Sequence, residues 1–306
     1  MADLSVEFCG VKFENPTVLA SGVLGVTASC LKNAVRNGAG GVTTKSIWLE
    51  EHVGHKNPTM FGTKHYFLNA VGLSDGGIKK AQEETFPEYL EDKPAPIIGN
   101  VVETTISKFA EITEKIDACG PDIIELNLGC PNVEGEHGKP FSCVAGDAAA
   151  VVKECRKRTK KPLIVKLTPN VSDISEVAMA CAAEGADGFC AINTLYGMGI
   201  DIKLRRPILT NKSGGLSGPG IKPTAVKCVY DIFKATGLPI IGTGGVTTGE
   251  DAIEMMMAGA RLVGMGTMVY YRGAEGFGEV AREMDEWCDA NGVKDLEEII
   301  GVATKV

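Results

Sequence analysis

The chain has 306 residues, of which 44% are hydrophobic and 23% charged, a balance that supports a sizeable core and argues against disorder. Its net charge is −8 with no basic stripe, so nucleic acid is not an expected partner. No apolar run is long enough to span a bilayer, and the opening MADLSVEFCG has neither a basic nor an apolar leader region, so no signal peptide or membrane segment is expected.

In chain order, residues 4–14 predict a small hairpin around Cys9-Gly10 that closes the floor of the domain, with Pro16 ending it. Residues 17–22 then read as a first strand and 28–37 as a helix. Residues 40–46 make a second strand, followed by a long excursion, 47–77, and a helix at 78–90. The third strand is 95–102, with a helix at 104–118 capped by Thr104 or Thr105. The fourth is 122–129, then a Gly- and Pro-containing loop to 146 and a helix at 147–159 opened by Asp147. Strand five (162–168) precedes a helix at 172–184, and strand six (188–194) precedes a third excursion, 195–221. Helix 222–236, strand seven (239–246), helix 248–258 and strand eight (261–267) follow, with terminal helices at 274–289 and 295–301. Eight apolar, β-branched strands spaced as βαβ units predict a single (β/α)8 barrel domain over 1–306, with the hairpin at its base and long βα loops over one face.

That architecture gathers all carboxyl strand ends at one mouth, where barrel enzymes do chemistry. Glycine clusters end strands seven and eight, at Gly242-Thr243-Gly244-Gly245 and Gly264-Met265-Gly266-Thr267. Either alone reads as a tight turn; together, at those two strands, they point to a phosphate-bearing cofactor. Lys45 and Lys166 end strands two and five. Each either snorkels to solvent, forms a Schiff base, or stabilises electron-rich atoms of a cofactor ring. Asn69, Asn127, Asn132 and Asn193, with Asn100 nearby, suit a flat heterocycle with amide edges, because asparagine both donates and accepts. Cys130, in a loop just past strand four, is a candidate nucleophile or general base; His137 is the histidine nearest to it in sequence. The chain has ten cysteines and no C-x-x-C pair, which fits reduced thiols in a cytoplasm and argues against zinc or an iron–sulfur cluster held by this chain alone. No dinucleotide fingerprint opens a βαβ unit either.

Ala20-Ser21-Gly22, Thr44-Lys45-Ser46, Asn69-Ala70-Val71-Gly72-Leu73, Glu125 through Asn132 and Asn193-Thr194 stand in the order of the class 1 dihydroorotate dehydrogenases, which the chain resembles over nearly its whole length. Residues 191–198 and 214–219 resemble class 1B in particular. The resemblance implies FMN, its phosphate on Gly244, Gly245, Gly266 and Thr267 and its ring near Ala20, Ser21, Lys45, Asn100, Lys166 and Ile192, with Gly22, Ser46, Asn127 and Gly218 also in the cofactor site. It implies dihydroorotate held by Lys45, Asn69, Val71, Gly72, Leu73, Asn127, Asn132, Asn193 and Thr194. Cys130 would take a proton from the ring CH2, with Lys45 the second catalytic residue. A homodimer, and a partner subunit carrying FAD and a [2Fe-2S] cluster that passes electrons to NAD, are implied as well. Two stretches depart from the family pattern. Ser74-Asp75-Gly76-Gly77 replaces Gln-Asn-Pro-Gly beside the substrate, and the loop after Cys130 runs through Gly135-Glu136-His137-Gly138.

Four readings are thus separable: dihydroorotate oxidation in pyrimidine synthesis, a dihydropyrimidine dehydrogenase acting on uracil or thymine, a cofactor-free Schiff-base aldolase using Lys166, and a non-catalytic FMN-binding subunit. Asn132 after Cys-Pro is the family's orotate-type residue and favours the first.

Overall fold

The eight apolar runs pair into one closed barrel in a computed structural model that describes residues 2–129 and 140–306. The barrel strands are β1 (Thr17–Leu19), β2 (Gly41–Thr43), β3 (Ile97–Val101), β4 (Ile123–Asn127), β5 (Leu163–Leu167), β6 (Gly188–Ala191), β7 (Ile240–Thr243) and β8 (Ala260–Met265). All neighbours are parallel, and β8 closes the ring on β1 through Val263–Thr17, Gly264–Val18 and Met265–Leu19. Every residue of β3, β4 and β5 is buried, as expected for strands covered by side chains inside and helices outside.

The hairpin forms at the amino-terminal ends of the strands. Val6–Phe8 pairs with Val11–Phe13, and Cys9 and Gly10 make the turn at φ 51° and 79°, the positive values that a two-residue hairpin turn needs. Phe8 and Phe13 are sealed and meet edge to face, and a side chain at Gly41 would collide with the Phe13 ring. This floor forces glycine at the start of β2.

The intervening helices carry the caps their sequences offer. Thr105 accepts the Lys108 N–H at 3.3 Å ahead of Ile106–Ala118, Asp173 caps Ile174–Ala183, and Thr248 with Asp251 forms a capping box before Gly249–Met257. Thr105→Ala should lower unfolding stability by about 1 kcal/mol in urea titrations, the usual worth of one such cap.

Several boundaries differ from the sequence expectation. Helix Ala145–Arg156 starts two residues before Asp147, which lies in its first turn. The helix at 77–90 contains a widened turn over Ala81–Thr85. The stretch expected as a helix at 295–301 is a short turn, Leu296–Glu298, cut off by Gly301 at φ 68°. A five-residue helix, Met268–Arg272, follows β8 unanticipated.

The excursions 47–77 and 195–221 are not open loops. They interlock as a four-stranded antiparallel sheet in the order Leu195–Met198, Ser213–Ser217, Phe67–Asn69, Met60–Gly62. Two glycines that read as loop signals sit inside its second strand. A side chain on Gly214 would collide with the Asn69 carbonyl, and one on Gly215 with the Thr194 hydroxyl. They are glycines because a neighbouring strand and the end of β6 approach them closely. Among the described residues no helix is long and apolar enough to cross a membrane, and no group of three or more His, Cys, Asp or Glu could hold a metal.

Candidate active site

The carboxyl ends of the strands and the four-stranded sheet enclose a cavity of about 560 Å³. Ala20, Ser21 and Gly22 line it from the end of β1, and Lys45 and Ser46 from β2. Asn127 ends β4 and Lys166 lies within β5, so both face it beside Ile192, Asn193 and Thr194 from beyond β6. Gly244 and Gly245 follow β7, and Gly266 and Thr267 follow β8. The excursions add Asn69, Val71, Gly72, Leu73 and Gly218. Residues from both halves of the chain thus share one wall because every strand points the same way.

Asn100 is the exception among the expected residues described. It is fully sealed and lies apart from the cavity wall. Its amide N–H2 donates to the buried Glu125 carboxylate, its register partner on β4, and its backbone N–H bonds Thr44 Oγ1 at 2.9 Å. Its side-chain oxygen has no hydrogen-bond partner among the described residues. Cys130, Asn132 and His137 lie outside the described residues. The described residues on either side of that segment are joined: Ser142 bonds the Leu128 carbonyl through both its N–H at 3.1 Å and its hydroxyl at 2.9 Å.

Polar side chains run across the cavity as a connected set. Asn127 donates to Ser46 Oγ at 2.9 Å and accepts from Asn193 Nδ2 at 3.1 Å. Asn193 Oδ1 in turn accepts the Thr194 N–H at 2.8 Å. Such a chain fixes each amide's orientation before any ligand arrives. Two members of the surrounding network escaped sequence reading. Asn170, past β5, donates to the Thr194 carbonyl at 2.9 Å and accepts the Tyr196 N–H at 3.0 Å, locking the entry to the four-stranded sheet. Ser217 accepts from Thr267 Oγ1 at 2.8 Å, tying that sheet to the end of β8. Asn170 follows a strand end in the same way as Asn127 and Asn193, and that placement was the available signal.

The charge of the wall is opposite to that of the chain. Lys45 and Lys166 line it, and no Asp or Glu does among the described residues. Both lysines are nearly sealed, at 9% and 6% exposure. Burial pushes the Lys45 ammonium below the usual lysine range, and the Asp75 carboxylate behind the wall opposes that shift. Two lysines at the wall and no described acid lining it make the inner surface of the cavity basic.

The glycines at the ends of β7 and β8 separate into two kinds. Gly244 has φ 136°, and a side chain there would press on Ala225 at 2.7 Å; Gly245 has φ 80° and abuts Lys222 at 2.7 Å. Gly264 cannot carry a side chain because it would collide with Thr243 Oγ1. Packing explains all three. Gly266 differs: its φ is not positive, and a Cβ there would rest at 3.7 Å from Ala20 and 3.9 Å from Val23, both cavity-lining residues. Among the described residues nothing in the packing demands glycine at 266, which leaves open space beside it in the cavity.

Residues 3–287 match the family model described as dihydroorotate dehydrogenase. The chain belongs to the dihydroorotate dehydrogenase family. Among its relatives, a Pyrococcus abyssi protein is 43% identical over 303 residues, covering 99% of this chain and 100% of its own length. A Methanocaldococcus jannaschii protein is 44% identical over 302 residues, covering 98% of each. A Thermoplasma acidophilum protein is 41% identical over 305 residues and the whole of both chains. Each of these is named as the catalytic subunit of dihydroorotate dehydrogenase B (NAD(+)). This member of the dihydroorotate dehydrogenase family therefore aligns end to end with its class B relatives, and the cavity is built from parts of the chain inside that alignment.

Proposed function

We propose that this chain is the catalytic subunit of an NAD-linked dihydroorotate dehydrogenase, a single barrel domain over 1–306 that acts in the cytoplasm and oxidises (S)-dihydroorotate to orotate in pyrimidine synthesis. The observation that carries the reading is one cavity whose described wall joins two buried lysines, no acid, a fixed set of asparagines and an otherwise unexplained glycine. The donor set fits FMN. Gly266 leaves room for a phosphate beside the backbone amides after β7 and β8, and the Asn127–Asn193 set offers donors and acceptors to a ring with amide edges. When bound, FMN supplies an acceptor for two electrons taken as a hydride.

The residues of this chain do the rest. Gly244, Gly245, Gly266 and Thr267 hold the phosphate, and Ala20, Ser21, Gly22, Ser46, Lys166, Ile192 and Gly218 border the ring. Asn69, Asn127, Asn132, Asn193 and Thr194 bind the amide edges of dihydroorotate, with Val71, Gly72 and Leu73 against it. Lys45 balances the carboxylate and the charge that develops as the C–H bonds break. Cys130 removes the proton from the ring CH2 as the hydride leaves the adjacent carbon, so the two carbons end joined by a double bond. Electrons reach NAD through a partner subunit holding FAD and a [2Fe-2S] cluster; the relatives' name, catalytic subunit of an NAD(+) enzyme, supports a second subunit. Two such chains form the core of the assembly.

The deciding experiment is to purify the chain with its co-purifying partner and compare turnover of dihydroorotate and dihydrouracil. A yellow protein that oxidises dihydroorotate is expected. Activity on dihydrouracil alone would reassign the substrate. A colourless preparation trapped by borohydride would mean a Schiff-base enzyme instead. A narrower test is Asn127→Ala, which takes from the Asn193 amide its acceptor and leaves Ser46 Oγ only its contact with Ser21 Oγ. It should raise the KM for dihydroorotate about tenfold to a hundredfold, since stranding a buried polar group costs roughly 1–3 kcal/mol.

A further inference from the structure

Lys45 sits at the end of β2, but the groups that hold it come from elsewhere. Its Nζ donates to Ser74 Oγ at 3.2 Å. The next residue, Asp75, is the acid whose field acts on Lys45. Both lie in Ser74-Asp75-Gly76-Gly77, the stretch that stands where the family pattern has Gln-Asn-Pro-Gly.

This segment is anchored on every side. Asp75 pairs with His52 through two backbone hydrogen bonds, at 2.9 and 3.0 Å. The Asp75 carboxylate accepts the Gly77 N–H at 2.8 Å. The Trp48 indole donates to the Leu73 carbonyl at 3.0 Å, and its ring stacks on His52 with centroids 4.6 Å apart. The position of Ser74 and Asp75 is therefore set by the excursion after β2, not by the barrel strand that bears the lysine.

We propose that Ser74 and Asp75 are positioning residues for Lys45: the hydroxyl fixes where the ammonium rests, and the adjoining carboxylate, anchored on the Gly77 N–H behind the wall, supplies its counter-charge. The proposal rests on the reading in which Lys45 serves the bound substrate. A neutral asparagine at 75 would preserve shape and lose the counter-charge.

Around this segment, Glu103 accepts the Leu49 N–H at 2.9 Å, His55 abuts Gly72, and the Glu50 and Glu51 backbone abuts Gly77. Lys166 shares the wall and carries the same sign, and Tyr270 lines the cavity. On the other side of Asp75, Lys80 borders a small crevice with Gly76 and Gly77, and His52 is held by its stack on Trp48. Among these described residues Asp75 is the anion that acts on Lys45. Burial pushes Asp75 upward, while the Gly77, Trp48 and Gly76 amides and Lys45 itself pull it down.

Lys45 is lowered by burial and raised by Asp75, so removing the carboxylate lowers it further. Activity that needs the ammonium is then lost at a lower pH. In the flavin-loaded complex, Asp75→Asn should shift the alkaline limb of kcat/KM for dihydroorotate down by roughly one pH unit, the low end of the effect of a nearby opposite charge. Asp75→Glu should restore most of the shift. Ser74→Ala should lower kcat/KM several-fold without moving the limb. A second readout needs no turnover: competitive labelling of Lys45 with acetic anhydride against pH, read by mass spectrometry of the digest. Its midpoint should fall in Asp75→Asn in step with the limb. An unchanged labelling midpoint in a folded, yellow Asp75→Asn protein overturns the proposal. A shifted midpoint in a protein that never oxidises dihydroorotate supports the Lys45–Asp75 coupling and overturns the assigned reaction instead.

Discussion

Cys130→Ala is expected to slow flavin reduction by dihydroorotate by about two to four orders of magnitude, the usual contribution of a positioned general base. The physical reason is the acidity of the proton concerned. A ring CH2 gives up its proton only when a base receives it as the neighbouring hydride departs. Among the described residues the cavity wall offers lysines, asparagines, hydroxyls, one tyrosine and apolar groups, but no carboxylate, histidine or thiol to receive it. Cys130 itself lies outside the described residues, yet the point from which it springs is well defined. Leu128 is sealed, and Gly129 is packed so tightly that a side chain would stand 2.7 Å from the Thr168 amide. The chain therefore leaves β4 three residues before Cys130, at Asn127, which lines the cavity. Stopped-flow absorbance of the bound flavin measures the step directly, and difference spectra on adding orotate report binding separately. The variant should bind orotate as before. If alanine at 130 reduces the flavin at the unmodified rate, Cys130 is not the base.

The second large effect is on the cofactor. Gly266→Val should fold normally and lose FMN affinity about tenfold to more than a hundredfold. The backbone at 266 is open to any residue, and the nearest protein atoms to a Cβ are 3.7 Å away, so the added methyls enter the cavity instead of the core. Overfilling a site built for another group typically costs roughly 1–3 kcal/mol. Gly264→Ala makes the control. There the new Cβ would collide with Thr243 Oγ1 and stand 3.3 Å from Ile241, inside the β7–β8 ladder. It should lower the melting temperature of the flavin-free protein, which Gly266→Val should leave in place. Flavin fluorescence on titration and thermal melts of stripped protein separate the two. Equal flavin affinity in Gly266→Val and the unmodified chain would remove 266 from the phosphate cradle.

How much of this was legible varied with the kind of signal. The barrel strands could be found because a strand buried on both faces is an unbroken apolar run, and each run ends in residues that an apolar core excludes, such as Lys45 or Asn127. The excursions misled because their glycines, Gly214 and Gly215, are chosen by contact with Asn69 and Thr194, which are far away in the sequence. The same holds for 295–301, whose helix-compatible residues are overruled by Gly301 and by the packing of the chain's end.

What the sequence alone determined was the barrel, the mouth at its carboxyl ends and the inventory of lysines, asparagines and glycines gathered there. These come from periodicity and residue chemistry, which act over a few neighbouring positions. Only the tertiary structure decided the rest: that Asn100 braces Glu125 and lies apart from the cavity wall, that Gly266 has open space beside it while Gly264 is closed by Thr243, and that Lys45 donates to Ser74. Each of these depends on distances between segments that meet only when the barrel closes. Burial then converts those distances into energy by removing the water that would otherwise screen them.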